Sequence, residues 1–227
     1  MPRRIEIKSG DGESVSALAY AAKANKRAGV TMLLAHGAGA NQLSGFMVSF
    51  AEGLSARGID AVTFNFLYTE QGRRAPDRNN KLEACYRAAI ATISKDKTLG
   101  SNRLILGGKS LGGRIASQVA ASGVGDAAGL VFLGYPLHPP GRPDRLRREH
   151  LSLIRAPMLF VQGSRDPFGT PGELRPIIES LQAPAAVYAV EGGDHSFTVR
   201  KGWPVSQAQV YESAQGAIIR WVESLDQ

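Results

Sequence analysis

A serine stands between two glycines in a pattern that is typical of a nucleophilic residue. Residues 108–112 read Gly-Lys-Ser-Leu-Gly, which matches the pattern Gly-x-Ser-x-Gly. An apolar run that reads as a strand leads directly into this pentapeptide, and a helical pattern follows it. So sharp a turn between strand and helix strains the backbone of Ser110 and leaves no room for bulky side chains at positions 108 and 112. We therefore predict that the Ser110 hydroxyl rises above the edge of a sheet.

A phosphate-binding loop is the alternative interpretation of these residues. The pattern Gly-x-x-x-x-Gly-Lys-Ser/Thr would require glycine at position 103, where the chain has Arg103. A glycine-rich turn with an incidental serine stays open. We favour the nucleophile, because the strand and the helix lie where a nucleophilic serine needs them.

A neutral serine needs a base, and that base needs a carboxylate that orients it and stabilises its charged form. His195 follows the last predicted strand, and Asp166 follows the strand before it. The carboxyl ends of parallel strands lie at one edge of a sheet, where loops can bring side chains together. We expect Ser110, Asp166 and His195 to meet there as nucleophile, acid and base.

Two other residues are weaker candidates for these roles. His138 also lies near the end of a predicted strand, but we expect it to line the substrate pocket or to be structural. Asp194 adjoins the histidine in sequence, and neighbouring side chains in a loop rarely face each other well. Both alternatives stay open at this point.

Nucleophilic attack on a carbonyl also needs donors for the oxyanion that forms. Residues 36–40 read His-Gly-Ala-Gly-Ala and follow the first apolar strand. Small residues let the backbone approach a substrate closely. We expect the amides of Ala38 and Leu111 to form the oxyanion hole, and His36 to pack beneath the loop.

The surrounding sequence alternates strands with helices, which predicts a three-layer α/β fold with a mostly parallel sheet and helices on both faces. Two alternating segments, with a turn at 10–12, predict an antiparallel hairpin at one sheet edge. We expect a single domain over residues 1–227. The predicted strands are 4–8, 15–20, 31–35, 61–66, 103–106, 130–133, 158–161 and 186–190, and the main helical patterns are 42–57, 80–94 and 206–225.

Composition limits the partners of this chain. Its formal net charge is +7, and the denser basic clusters, 73–78 and 142–148, also contain acids and prolines. We expect both clusters to be solvated loops; the alternative is that they create a positive electrostatic field over the entrance of an active site. We expect no nucleic-acid or membrane partner. No run resembles a signal peptide or a membrane span, and one cysteine permits no internal disulfide. We expect a cytoplasmic protein; its oligomeric state is open, with a homodimer as one option.

Four motifs together resemble the α/β-hydrolase superfamily, and especially its small, cap-less branch similar to dienelactone hydrolase. More narrowly, they resemble predicted hydrolases related to a subunit of the nonspecific-lethal chromatin complex. The resemblance implies the α/β-hydrolase fold without a cap domain. The motifs are His-Gly-Ala-Gly-Ala at 36–40, Gly-Lys-Ser-Leu-Gly-Gly at 108–113, Gly-Ser-Arg-Asp-Pro-Phe-Gly at 163–169 and Gly-Gly-Asp-His-Ser-Phe at 192–197.

One departure from this resemblance affects the substrate. Dienelactone hydrolases carry cysteine at the position of Ser110, so dienelactone is not the substrate we expect. Cys85 falls in the apolar stripe of a helix and is predicted to be a core thiol. We expect a serine hydrolase of a small-molecule ester, thioester or amide, with no metal or organic cofactor. Some relatives serve as scaffolds, so a non-catalytic interaction module is the alternative.

Overall fold

The computed structural model describes residues 1–9, 12–123 and 126–225. Within these residues the chain forms one sheet in the order β1-β2-β4-β3-β5-β6-β7-β8. Every strand predicted from the sequence is present, with ends that differ by at most a few residues. The strands are β1 (Arg3–Ser9), β2 (Glu13–Tyr20), β3 (Val30–Ala35), β4 (Asp60–Phe64), β5 (Arg103–Lys109), β6 (Gly129–Leu133), β7 (Met158–Gly163) and β8 (Ala185–Val190).

The first two strands pair antiparallel at the sheet edge, which confirms the predicted hairpin. Residues 10 and 11 of its predicted turn lie outside the described residues. β2 pairs antiparallel with β4, and β3 to β8 then run parallel. The central strands are buried along their length, as their continuous apolar character requires.

Helices cover both faces of the sheet and complete the three layers. The helices are α1 (Gly45–Ala56), α2 (Leu67–Glu70), α3 (Asn79–Ser94), α4 (Leu111–Ala121), α5 (Pro171–Glu179) and α6 (Gln207–Ser224), with short 3-10 turns at Ala24–Lys26 and Glu149–Leu153. α3, α4 and α5 pack into one apolar core, and α1 and α6 pack into another on the opposite face. None of the helices in the described part of the chain combines the length and the apolar character that a membrane span needs.

The register of the central strands aligns the loops that could carry chemistry. Ala35 at the end of β3 pairs with Gly108 in β5, and Lys109 pairs with Leu133 in β6. The carboxyl ends of β3, β5 and β6, which are neighbours in the sheet, therefore lie at one level. The connection over residues 134–157 contains a 3-10 turn and no further helix or strand, so no cap domain covers this edge from that connection.

Candidate active site

Ser110 occupies the strained turn between β5 and α4. Its φ is 51° and its ψ is −112°, a backbone conformation that residues other than glycine rarely adopt. The two glycines permit this turn, because a Cβ at Gly108 would lie 2.4 Å from the Ala35 carbonyl oxygen and a Cβ at Gly112 would lie 2.2 Å from the same atom. Any larger residue would force β3 away from the turn. The steric prediction for positions 108 and 112 is confirmed.

The structure brings Ser110, His195 and Asp166 into one chain of hydrogen bonds. His195 Nε2 lies 2.8 Å from Ser110 Oγ, and His195 Nδ1 lies 2.7 Å from Asp166 Oδ2. An ionised carboxylate only accepts hydrogen bonds, so Nδ1 carries the proton and Nε2 is left to accept from the serine hydroxyl. This is the protonation state that a base for Ser110 requires.

Asp166 is held rigidly although it lies in a loop. Its side chain is fully buried. Its Oδ1 accepts a hydrogen bond from the Phe168 amide at 2.8 Å, and its Oδ2 accepts one from Gln162 Nε2, also at 2.8 Å. Gln162 is anchored in turn by the Tyr135 amide, which donates to its Oε1 at 2.8 Å. The carboxylate therefore reaches His195 in a defined orientation.

The histidine loop is fixed from three sides. The ring of Phe168 lies against the His195 imidazole, with 4.3 Å between ring centroids. Phe197 is completely buried and takes a positive φ of 63°, which its packing against the Phe46 and Phe50 rings holds in place. The imidazole itself is 19% exposed, so its outer edge faces solvent while its position is determined by the core.

The two predicted oxyanion donors lie at the same cavity. The amides of Ala38 and Leu111 donate to no acceptor among the described residues. Leu111 begins α4, so its amide is one of the free donors at the positive end of that helix. Both residues line the cavity next to Ser110.

His36 supports this loop from below, as predicted. The side chain is fully buried, and burial lowers its pKa. Its Nδ1 donates to the Gly37 carbonyl oxygen at 2.8 Å, and its Nε2 accepts from the Phe66 amide at 3.2 Å. A neutral His36 therefore joins the loop after β3 to the loop after β4.

The cavity in front of Ser110 has a volume of about 590 Å³. Its wall includes Pro76 and Asp77, which lie between α2 and α3, and Arg147, which lies in the connection between β6 and β7. The remaining wall includes Ala38, Phe46, Met47, Leu111, Arg114, Pro136, Phe168 and Ser196.

Comparison with known families identifies the family of this chain. Residues 28–223 match the sequence model of a family described as an alpha/beta hydrolase domain. The chain belongs to this family. The matched range includes Ser110, Asp166 and His195 together with the strands and loops that hold them.

Solved structures of low sequence identity share the fold of this α/β-hydrolase. A serine hydrolase without a lid from Xanthomonas campestris has a TM-score of 0.75 at 18% identity, over 97% of this chain and 94% of its own. A dienelactone hydrolase from Anabaena variabilis has a TM-score of 0.74 at 18% identity, over 97% of both chains. Est1E from Butyrivibrio proteoclasticus, solved with ferulic acid, has a TM-score of 0.73 at 15% identity, over 96% and 99%. The lidless architecture predicted from the sequence is confirmed.

The alternative acid and base candidates of this α/β-hydrolase have other partners. His138 Nε2 lies 3.1 Å from Glu173 at the start of α5, and its Nδ1 donates to the Pro139 carbonyl oxygen. Asp194 Oδ1 accepts the amides of Ser196 and Thr198, so it stabilises the histidine loop. Neither residue is hydrogen-bonded to Ser110.

Cys85 is a core thiol, as predicted. It is 1% exposed on α3, and burial raises its pKa to about 12.

The sequence analysis did not identify Gln162 as part of the site; its only indication is that a polar residue stands at the end of a buried apolar strand. It also did not predict that Lys109 lies in the cavity wall.

Proposed function

We propose that this protein is a serine hydrolase that cleaves an ester, thioester or small amide through an acyl-enzyme intermediate. The observation that carries the proposal is the unbroken hydrogen-bond chain from Ser110 through His195 to Asp166, at the mouth of a cavity large enough for a small substrate. The family and its solved neighbours support a hydrolase of this general kind.

The first half of the reaction forms the acyl-enzyme. Ser110 Oγ attacks the substrate carbonyl while His195 Nε2 takes the hydroxyl proton. The amides of Ala38 and Leu111 donate to the resulting oxyanion, and the positive end of α4 adds a favourable field. Asp166 stabilises the imidazolium. His195 then passes its proton to the leaving group as the bond to the carbonyl carbon breaks.

The second half releases the acid. A water molecule gives a proton to His195 and attacks the ester of Ser110 at the same carbonyl carbon. Collapse of this second oxyanion breaks the bond to Ser110 Oγ, which regains the proton from His195. The imidazole is 19% exposed and lines the cavity, so water that enters the cavity can reach it.

The test combines turnover with covalent labelling. We expect Ser110→Ala to lower kcat on 4-nitrophenyl butyrate by at least about 10³-fold and to abolish the mass shift that a fluorophosphonate probe produces. Ser101→Ala is the matched control, because Ser101 is exposed beyond the opposite end of β5. Full activity in folded Ser110→Ala protein would refute the proposal. A folded wild-type protein that is neither labelled nor active would favour the non-catalytic interaction module.

Three expectations stay predictions: a cytoplasmic location, the oligomeric state, and the relation to hydrolases of the chromatin complex. None of them affects the chemistry proposed for Ser110.

A further inference from the structure

The guanidinium groups of two arginines in the cavity wall donate to neutral oxygen atoms. The guanidinium of Arg114 donates to Asn79 Oδ1 at 3.1 Å, and that of Arg147 donates to the Pro136 carbonyl oxygen at 3.3 Å. Among the described residues, neither arginine forms an ion pair with a carboxylate. Both are half-buried and line the cavity that Ser110 faces. Unpaired, partly desolvated guanidinium groups in a cavity are expected to take an anion.

Both arginines line one cavity, and the positive charge of Arg147 acts on Arg114. Burial, and then the charge of Arg147, lower the pKa of Arg114. An anion placed between them would relieve this repulsion and would accept hydrogen bonds from two forks of donors. Like charges brought together in a partly desolvated cavity are unfavourable, which favours binding of a ligand of opposite charge.

The nearby carboxylates do not neutralise the pair. Asp77 lines the same cavity, but its Oδ1 lies 2.7 Å from Arg73 Nη2. Glu83, whose charge acts on Arg114, pairs with Arg87 at 3.1 Å. Lys109 adds a third cationic side chain to the wall. The cavity therefore presents an excess of positive charge.

The backbone of both arginines is fixed near the nucleophile. The Arg114 amide donates to the Ser110 carbonyl oxygen at 3.0 Å, so Arg114 lies in the first turn of α4, directly after the strained turn that holds Ser110. Arg147 is fixed by its amide, which donates to the Leu137 carbonyl oxygen at 2.8 Å, and by the Tyr135 hydroxyl, which donates to the Arg147 carbonyl oxygen at 2.9 Å.

We propose that Arg114 and Arg147 form an anion-binding subsite, and that the substrate carries a carboxylate or phosphate a few bonds from the carbonyl that Ser110 attacks. This inference rests on the proposed function of Ser110. It narrows the substrate class from acyl compounds in general to anionic ones.

The test uses ester pairs that are matched in shape and differ in charge. For an anion on the acyl side the pair is 4-nitrophenyl hemiadipate and 4-nitrophenyl 6-oxoheptanoate. For an anion on the leaving group it is the butyrate esters of 3-hydroxybenzoate and 3-hydroxybenzamide. We expect kcat/KM of the anionic member to exceed that of the neutral member by at least about tenfold in one pair.

Variants assign this preference to the arginines. Arg114→Gln and Arg147→Gln should each lower kcat/KM for the preferred anionic ester by about tenfold more than kcat/KM for the neutral ester. Arg147→Lys should retain part of the preference, because the charge remains while the fork of donors is lost. Arg148→Gln is the matched control: it removes the same charge from an exposed neighbour outside the cavity wall, and both esters should be unaffected.

A binding measurement separates the two proposals. In Ser110→Ala protein, calorimetric titration should show that monomethyl adipate binds at least about tenfold more tightly than methyl 6-oxoheptanoate and that added salt weakens this binding. Turnover that depends on Ser110 without any anionic preference would overturn the subsite alone. An equal fall in kcat/KM for the anionic and the neutral ester in the arginine variants would also overturn the subsite. Turnover that survives Ser110→Ala would instead overturn the proposed function.

Discussion

Lys109 precedes Ser110 directly, and its burial should carry a measurable free-energy cost. The side chain is 7% exposed, and its ammonium lies 5.6 Å from the centroid of the Phe46 ring. Burial, opposed by the carboxylates of Asp166 and Asp194, lowers the pKa of Lys109 to about 8. A buried cation of this kind destabilises the folded protein whenever it is protonated.

The size and sign of the effect follow from this pKa. The unfolded chain binds the proton with the ordinary pKa of 10.5, while the folded chain binds it with a pKa of about 8. The difference corresponds to about 3 kcal/mol. Because the unfolded chain binds more protons between these two values, stability rises with pH over that window. The cost is fully present below about pH 8 and vanishes as the pH approaches 10.5.

Lys109→Met removes the charge and keeps the length of the side chain. We expect the free energy of unfolding at pH 7 to rise by about 2 to 3 kcal/mol, since the loss of the contact with Phe46 offsets up to about 1 kcal/mol. The measurement is urea unfolding of both proteins, followed by circular dichroism, at pH values from 7 to 10.5. The advantage of the variant should shrink steadily above pH 8.

Lys97→Met is the control, because Lys97 is exposed and its loss should leave stability within about 0.5 kcal/mol. Our reasoning fails if Lys109→Met is no more stable than the wild type at pH 7. It also fails if the difference in stability between the two proteins is independent of pH.

Two further variants test the support of the site. Gln162→Leu leaves the Tyr135 amide without its acceptor and Asp166 without one donor, so it should lower the free energy of unfolding by about 1 to 3 kcal/mol. The kcat of the folded variant on 4-nitrophenyl butyrate should also fall. An unchanged kcat would contradict the proposal that Gln162 positions Asp166. Tyr86→Phe removes a buried hydroxyl that bonds to Gly107 in β5, at both its N–H and its carbonyl oxygen; thermal unfolding should show a loss of about 1 to 3 kcal/mol, whereas activity per folded molecule should equal that of the wild type.

Local sequence patterns predicted most of the fold. Apolar runs such as residues 158–161, which lie in β7 (Met158–Gly163), are apolar enough to demand burial on both faces, which only a central parallel strand provides. The apolar stripe of residues 80–94 likewise predicted a helix packed against the sheet, and the structure has α3 (Asn79–Ser94) there. Both features depend on residues a few positions apart, so neighbouring residues are sufficient to determine them.

Distances between remote residues depended on the tertiary structure. Ser110 and His195 are 85 positions apart, and the register of the parallel strands decides that their side chains lie 2.8 Å apart. The sequence indicated both residues through the loops that hold them, but a pattern along the chain carries no distance across the sheet.

Gln162, Arg114 and Arg147 illustrate the same limit. A glutamine at the end of a strand and arginines in a helix and a loop have no local pattern that marks them as parts of one site. The roles we propose for them arise from what surrounds them: a buried carboxylate for Gln162, and for the arginines a cavity in which no carboxylate of the described residues pairs with them. Residue types and spacing along the chain thus determined the elements and the candidate chemistry. Packing alone decided which groups are desolvated, which are paired and which are left to bind a ligand, because those properties depend on neighbours distant in sequence.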